Sequence, residues 1–243
     1  VILWMTVVLA LLTSCVASSV SPLARNEATA VPGLNMELHA ATASDNNQET
    51  VLATLYFRYR DEPMLAAESR TLTVQRDESV EFAIVQALLD GPSAGHSDLK
   101  ALLPMGATLE SVTSRDDIVF VTFDAAFLQD DIPTDWMTNE TWREEAPTMR
   151  QLIAQSIVAS LTEQYAYTGV QLLVHKTDEV QSNLRLDLSY FLTGATGPSD
   201  PLSRDEDLLL TPRNTAQIVM KAWQQHDVEQ LYAYVADVDQ PSF

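Results

Sequence analysis

The chain opens on an apolar run, then loses all periodicity, and becomes patterned only from residue 51. Residues 1–12, VILWMTVVLALL, are apolar except for Thr6. At roughly 12–14 residues such a run is too short for a permanent helix across about 30 Å of hydrocarbon, and it has the length of a signal-peptide h-region. Residues 16–49 are rich in Ala, Ser, Thr and Asn and hold Pro22, Pro32 and Gly33. They keep neither a helical nor a strand period for long, and this is the composition of a flexible tether.

Val51 to Tyr59 alternates and is rich in β-branched and aromatic residues, which predicts a strand. Leu72-Thr73-Val74 predicts a second extended piece beyond the Asp61-Glu62-Pro63 turn. Ser79 can cap a helix in which Val80, Ala83, Ile84, Ala87 and Leu88 form one stripe, and Gly91-Pro92 ends it. Residues 108–124 predict a β-hairpin turning near Arg115-Asp116-Asp117. Its second strand sets Val119, Val121 and Phe123 against Ile118, Phe120 and Thr122, the pattern of a central strand covered at least in part on both faces.

After Pro147, a good first helical residue, Met149, Leu152, Ile153, Ile157 and Leu161 mark a longer amphipathic helix. Val170 to Val174 predicts a short buried strand, and Leu184 to Leu192 alternates as another. The order β, β, α, β, β, α, β, β predicts an α+β domain at 50–193, with a mixed sheet of about five or six strands packed by two helices. A linker at 194–210, dominated by Gly, Pro, Ser and Asp, leads to a short helical segment at 211–243. There Thr211-Pro212 opens one helix, and Asp227 with Gln230 forms a capping box for the next. Two short helices cannot bury their stripes alone, so they dock on the first domain or begin a second.

Composition narrows the function. The 243 residues carry 34 acidic and 14 basic side chains, a net charge of −20. With no Lys/Arg cluster, nothing can neutralise a phosphate backbone, which excludes nucleic acid as a partner. Four separated histidines and one cysteine exclude a disulfide framework and a multi-cysteine metal site, and no cofactor is expected. That cysteine stands in Leu12-Thr13-Ser14-Cys15, which resembles a bacterial lipobox. The resemblance implies a signal peptide over 1–15, lipid on the Cys15 sulfur, and membrane attachment through more than one acyl chain.

Other candidate chemistry is sparse. Residues 129–146 hold six carboxylates with Trp136 and Trp142, but their spacing is irregular and no Gly supplies the turn of a calcium loop. The two indoles are a candidate partner or ligand patch, or simply pin this segment to the core. No Gly-x-Ser-x-Gly elbow and no phosphate-binding Gly loop occurs. His175 follows a strand and could reach Asp178 or Glu179, but such a histidine is usually a surface residue.

Several pieces in order carry a resemblance: Leu55-Tyr56-Phe57; Glu68-Ser69-Arg70 within Leu65 to Val74; the helix ending Ala87-Leu88-Leu89-Asp90-Gly91-Pro92; the turn Leu103 to Leu109; Val121-Thr122-Phe123-Asp124; and Ile157 to Glu163 before Val170 to Val174. Together they resemble a GerMN domain of sporulation and spore-germination lipoproteins, over residues 50–193. The resemblance implies a compact domain similar to the ring-building modules of secretion and sporulation assemblies, acting through protein contacts outside the cytoplasmic membrane, with no catalytic residue carried over. The chain departs from the pattern in its single copy, in the long acidic segment at 129–146, and in His175-Lys176 where glycine often follows the strand. The tail, from Thr211-Pro212 through Ala222-Trp223 to Asp227-Val228, resembles the opening of an NTF2-like domain of the kind appended to extracytoplasmic lipoproteins. The expectation is an extracytoplasmic, lipid-anchored assembly module with envelope or self-assembly partners. The alternative is a lipoprotein that captures a small molecule or cell-wall fragment.

Overall fold

The computed structural model describes residues 48–129, 132–135, 137–163, 165–175, 183–191 and 195–234. Chain contacts separate a unit Val1–Ser44 from a unit Asp45–Phe243, and the architecture that follows belongs to the second. It is α+β, as the strand and helix periods predict.

Strand β1 (Gln48–Tyr59) pairs antiparallel with β2 (Leu65–Gln75), from Gln48 opposite Gln75 to Arg58 opposite Leu65. Ala53, Leu55 and Phe57 of β1 share a face with Leu72 and Val74 of β2, and all five are buried. Helix α1 (Val80–Asp90) covers that face with Ile84, Val85 and Leu88. The Ser79 side chain accepts from Phe82 N–H at its start, and Gly91, at φ 84°, closes its end where an L side chain would be strained. The short strand β3 (Leu99–Lys100) pairs with the last residues of β1 and completes a three-stranded sheet in the order β2-β1-β3.

A second sheet has the order β4-β5-β6-β7. Strands β4 (Leu109–Arg115) and β5 (Ile118–Phe123) form the predicted hairpin, with Asp116 in the left-handed region at its turn. Strand β6 (Gly169–His175) lies parallel to β5, and β7 (Asn183–Arg185) closes the sheet antiparallel. A parallel pair needs a crossover, and α2 (Glu140–Thr162) provides it. Val119, Val121 and Phe123 of β5 are fully buried, as are Ile157, Val158 and Leu161 of α2. The mixed sheet is present, but the seven strands among the described residues are distributed over two sheets, with α2 packed against β1 as well as β6.

How α2 meets β1 depends on two serines. Ser160 Oγ accepts from Tyr56 N–H at 2.9 Å, and Ser156 Oγ donates to Tyr56 C=O at 2.6 Å. Beyond the reach of β3, these hydroxyls at i and i+4 stand where a neighbouring strand would be. They satisfy a backbone unit that burial would otherwise leave unpaired.

Residues 199–210 run as a strap from one sheet to the other. Leu202 bridges to Val170 on β6, and Leu209 bridges to Leu65 on β2. Gln155 of α2 donates to Ser203 C=O and accepts from Asp205 N–H. Arg204 binds Glu163, donates to Tyr56 Oη at 3.1 Å, and lies 2.7 Å from Glu206. Helices α3 (Pro212–Gln225) and α4 (Val228–Ala233) follow. The Tyr234 ring lies tilted 5.8 Å from that of Tyr59 and its hydroxyl donates to Glu62, and burial with that carboxylate pushes its phenol well above the usual range. The same pair of helices exposes Met220, Trp223 and Val228.

Two elements differ from their predicted extent. Helix α2 starts seven residues before Pro147, because the Asn139 side chain caps it by accepting from Trp142 N–H at 2.8 Å. Pro147 then lies inside the helix and removes the donor that would meet Arg143 C=O. Of the stretch 184–192, whose last residue lies outside the described ones, the strand reaches Arg185. The Asp187 carboxylate accepts from Ser189 and Gly197 N–H groups and bends the chain into a 3-10 turn at Leu188–Tyr190.

Candidate interaction site

Of the residues singled out in the sequence, Cys15 and Trp136 lie outside the described residues. Trp142 is described, and it is half-buried on the first turn of α2. Residues Trp142, Ala146, Met149 and Ile153 recur at i, i+4, i+7 and i+11, so the indole sits at the solvent end of the stripe that α2 buries. Arg150, at i+8, holds its guanidinium 5.3 Å from the indole and 4.6 Å from the ring of Tyr190. Tyr190 lies 6.1 Å from Phe127, which stacks on Phe123 at 4.3 Å. A column of stacked groups therefore runs from the core through Phe123, Phe127, Tyr190 and Arg150 to Trp142 at the surface.

Two clefts flank this column. One, of about 360 Å³, is lined by Leu102, Trp142, Met149 and Ile153. The other, of about 340 Å³, lies between α2 and β7 and is lined by Leu128, Arg150, Val174, Leu186 and Tyr190. Arg150 and Tyr190 were not legible as site residues. The signal for Arg150 is its helical spacing from Trp142, visible only once the helix is extended back to Asn139.

The cation over two rings makes Trp142 both an anchor and a prop. Trp142→Ala is expected to lower stability by about 1–2 kcal/mol, through lost stacking and lost burial. Thermal unfolding measures it, and a change below about 0.5 kcal/mol would show that the indole supports nothing beneath it.

Other charged groups are committed to the fold. Glu68 is 2% exposed and receives Arg70 Nε at 2.7 Å and Ser93 N–H at 3.2 Å. Burial opposes its ionisation, but these hydrogen bonds outweigh burial and hold its carboxyl below the usual 4.5. Arg70 also donates to Gly91 C=O at 2.9 Å, so the pair ties β2 to the end of α1. Ser93 Oγ lies 2.9 Å from His96 Nδ1, and Glu68 lies 4.0 Å from the same nitrogen. Both groups approach the same ring nitrogen, whereas a Ser-His-Asp triad sets the hydroxyl and the carboxylate on opposite ones. His175 pairs with Glu110 at 2.9 Å. Asp178 and Glu179, the partners expected for it, lie outside the described residues. Among the described residues no three His, Cys, Asp or Glu side chains gather to hold a metal ion, and no helix is long and apolar enough to cross a membrane.

A family model described as Germane, sporulation and spore germination, matches residues 54–178, just over half of the chain. The chain belongs to the Germane family. The Germane region runs from the middle of β1 to just past β6, so it contains Trp142 and Arg150 but not Tyr190 or the strap. Among solved structures, the chain is similar to the tandem GerMN domains of the sporulation protein GerM from Bacillus subtilis. The identity is 19% and the TM-score 0.40, over 64% of this chain and 45% of that one. The chain thus spans less than half the length of the tandem structure. Similarity to the first GerMN domain of GerM alone is 21% identity and TM-score 0.39, over 63% of this chain and 98% of that one. A candidate lipoprotein from Clostridium perfringens gives 21% identity and TM-score 0.33, over 67% and 91%. No curated protein sequence matches.

Proposed function

We propose that this Germane protein is an exported bacterial lipoprotein, held at the outer face of the cell membrane through an acylated Cys15, and that its folded domain is a non-catalytic assembly module. Leu12-Thr13-Ser14-Cys15 behind an apolar run supports the anchor. The observation that carries the assembly role is the preorganised indole: Trp142 is clamped by Arg150 at the solvent end of a rigid column, between two apolar clefts. Rigid aromatic side chains with little entropy left to lose are favoured interface anchors. Family membership supports a role in sporulation, germination or the cell envelope.

A photo-crosslinking residue at position 142 of the full chain, activated in intact membranes, tests this reading. A reproducible protein neighbour is expected. No neighbour, together with a monomer whose melting temperature rises with muropeptide concentration, would replace assembly by ligand capture. The two clefts favour that second reading in one respect, since their volumes fall in the range of small-molecule sites.

A further inference from the structure

Helix α3 is buried along one side only. Thr211 caps its start by accepting from Asn214 N–H, and His226, in the left-handed region, ends it. Ala222 is buried on the inner side, with Ile218 and Val219 half-buried. On the other side Met220 is 58% exposed, and Trp223, three residues on and therefore its neighbour, is 71% exposed. Arg213, Gln217 and Gln224 recur with Met220 at helical spacing, Lys221 stands beside them, and all are exposed. No acid occurs from 208 to 226, whereas α1, α2 and α4 each carry one or more. Among the described residues no carboxylate pairs with Arg213 or Lys221. On a chain of net charge −20, this face joins an exposed indole and thioether to two uncompensated cations.

We propose that this face of α3 rests on the anionic headgroup layer of the membrane, with Trp223 and Met220 at the boundary of the acyl chains. The inference rests on the anchored reading above and names the surface that the anchored domain touches. Charge selects that surface. Attraction and repulsion alike fade over ~8 Å at physiological ionic strength, so the cations nearest the lipid decide the contact rather than the net charge of the whole chain. Side-chain type agrees. Tryptophan and the long stems of Lys and Arg settle at headgroup level, with apolar bodies inward and polar tips in water. Size argues against a protein as occupant, because a stable protein interface takes about 20–30 residues a side, far more than one face of α3 offers. The contact is weak alone, and acylation at Cys15 compensates by keeping the domain beside the lipid at high effective concentration. Val228 of α4 is exposed as well, but Asp227 and Glu229 flank it, and it takes no part.

The test uses the acylated chain, purified from producing cells and reconstituted into vesicles of phosphatidylcholine with or without about 30% phosphatidylglycerol. Acylation consumes the sulfur of the one native cysteine, so Met220→Cys offers a single free thiol for a polarity-sensitive fluorophore. Met105→Cys, at a turn residue that is 99% exposed, is the control. The label at 220 is expected to brighten several-fold and shift to the blue on anionic vesicles, to respond little on neutral ones, and to return toward its aqueous emission at about 0.5 M salt. The label at 105 is expected to stay aqueous throughout. Arg213→Glu with Lys221→Glu, two exposed positions whose folding is checked by circular dichroism, is expected to abolish the response at 220. A chain that floats with vesicles while position 220 remains aqueous, or a response that the two charge reversals leave unchanged, would overturn the proposal and leave the anchor standing. A response in native membranes but not in protein-free vesicles would assign the face to a protein and overturn it likewise. A chain that carries no acyl group and does not float would overturn both.

Discussion

Replacing Ser156 and Ser160 together by alanine is expected to destabilise the domain by about 2–5 kcal/mol, at or near the limit of what a domain of ordinary stability tolerates. Neither hydroxyl contributes much by burial of its own. The cost arises because both bind the backbone of Tyr56, and the two methyl groups left behind cannot replace them. An unmatched N–H and an unmatched C=O would then lie between β1 and α2, each costing about 1–3 kcal/mol. Urea unfolding with an unchanged m-value measures the loss. A double variant within about 1 kcal/mol of the parent would show that α2 does not close the edge of β1 in this way.

Glu68→Ala should cost about 2–4 kcal/mol for a related reason, since it strands the Arg70 guanidinium and the Ser93 N–H in a mostly buried setting. Adding Arg70→Met to that variant is expected to restore part of the loss, because it removes the charge left without its partner. The same carboxylate makes stability depend on acid. Its folded pKa lies below the ordinary value of 4.5, so the folded state favours the ionised form. Its contribution is complete above the unfolded pKa and is lost as pH falls through the lower folded value. Unfolding titrations from pH 6 downward should therefore show a shallower decline for Glu68→Ala than for the parent. Parallel curves would mean that this group is not linked to folding.

Much of this architecture is written in the periodicity. Val119, Val121 and Phe123 were separable from their neighbours by alternation alone, and they are the fully buried side of β5. Ser79 and Gly91 announced both ends of α1, since caps are local chemistry. What was hidden depended on side chains acting over long separations or against local rules. Pro147 read as a helix start, but Asn139, eight residues earlier, caps the helix and leaves Pro147 inside it. Alternation from Leu184 to Leu192 read as a strand, yet the Asp187 carboxylate diverts the backbone into a turn. Gly, Pro, Ser and Asp at 194–210 signalled a break in composition, but no pattern disclosed that Leu202 and Leu209 reach two different sheets. Of the site, Trp142 was visible as an indole among acids. Arg150 and Tyr190 were not, because their meeting requires α2 and the turn after β7 to be placed side by side.

Attachment at Cys15 is the claim on which the location and the working concentration of the domain both depend. The most direct measurement is metabolic labelling of cells producing the full chain with an alkyne-tagged fatty acid, comparing the parent with Cys15→Ser. The account predicts a labelled parent that fractionates with membranes, and an unlabelled serine variant whose signal segment is not processed at that position. A parent that carries no label, or a serine variant with the same label and fractionation, would contradict it.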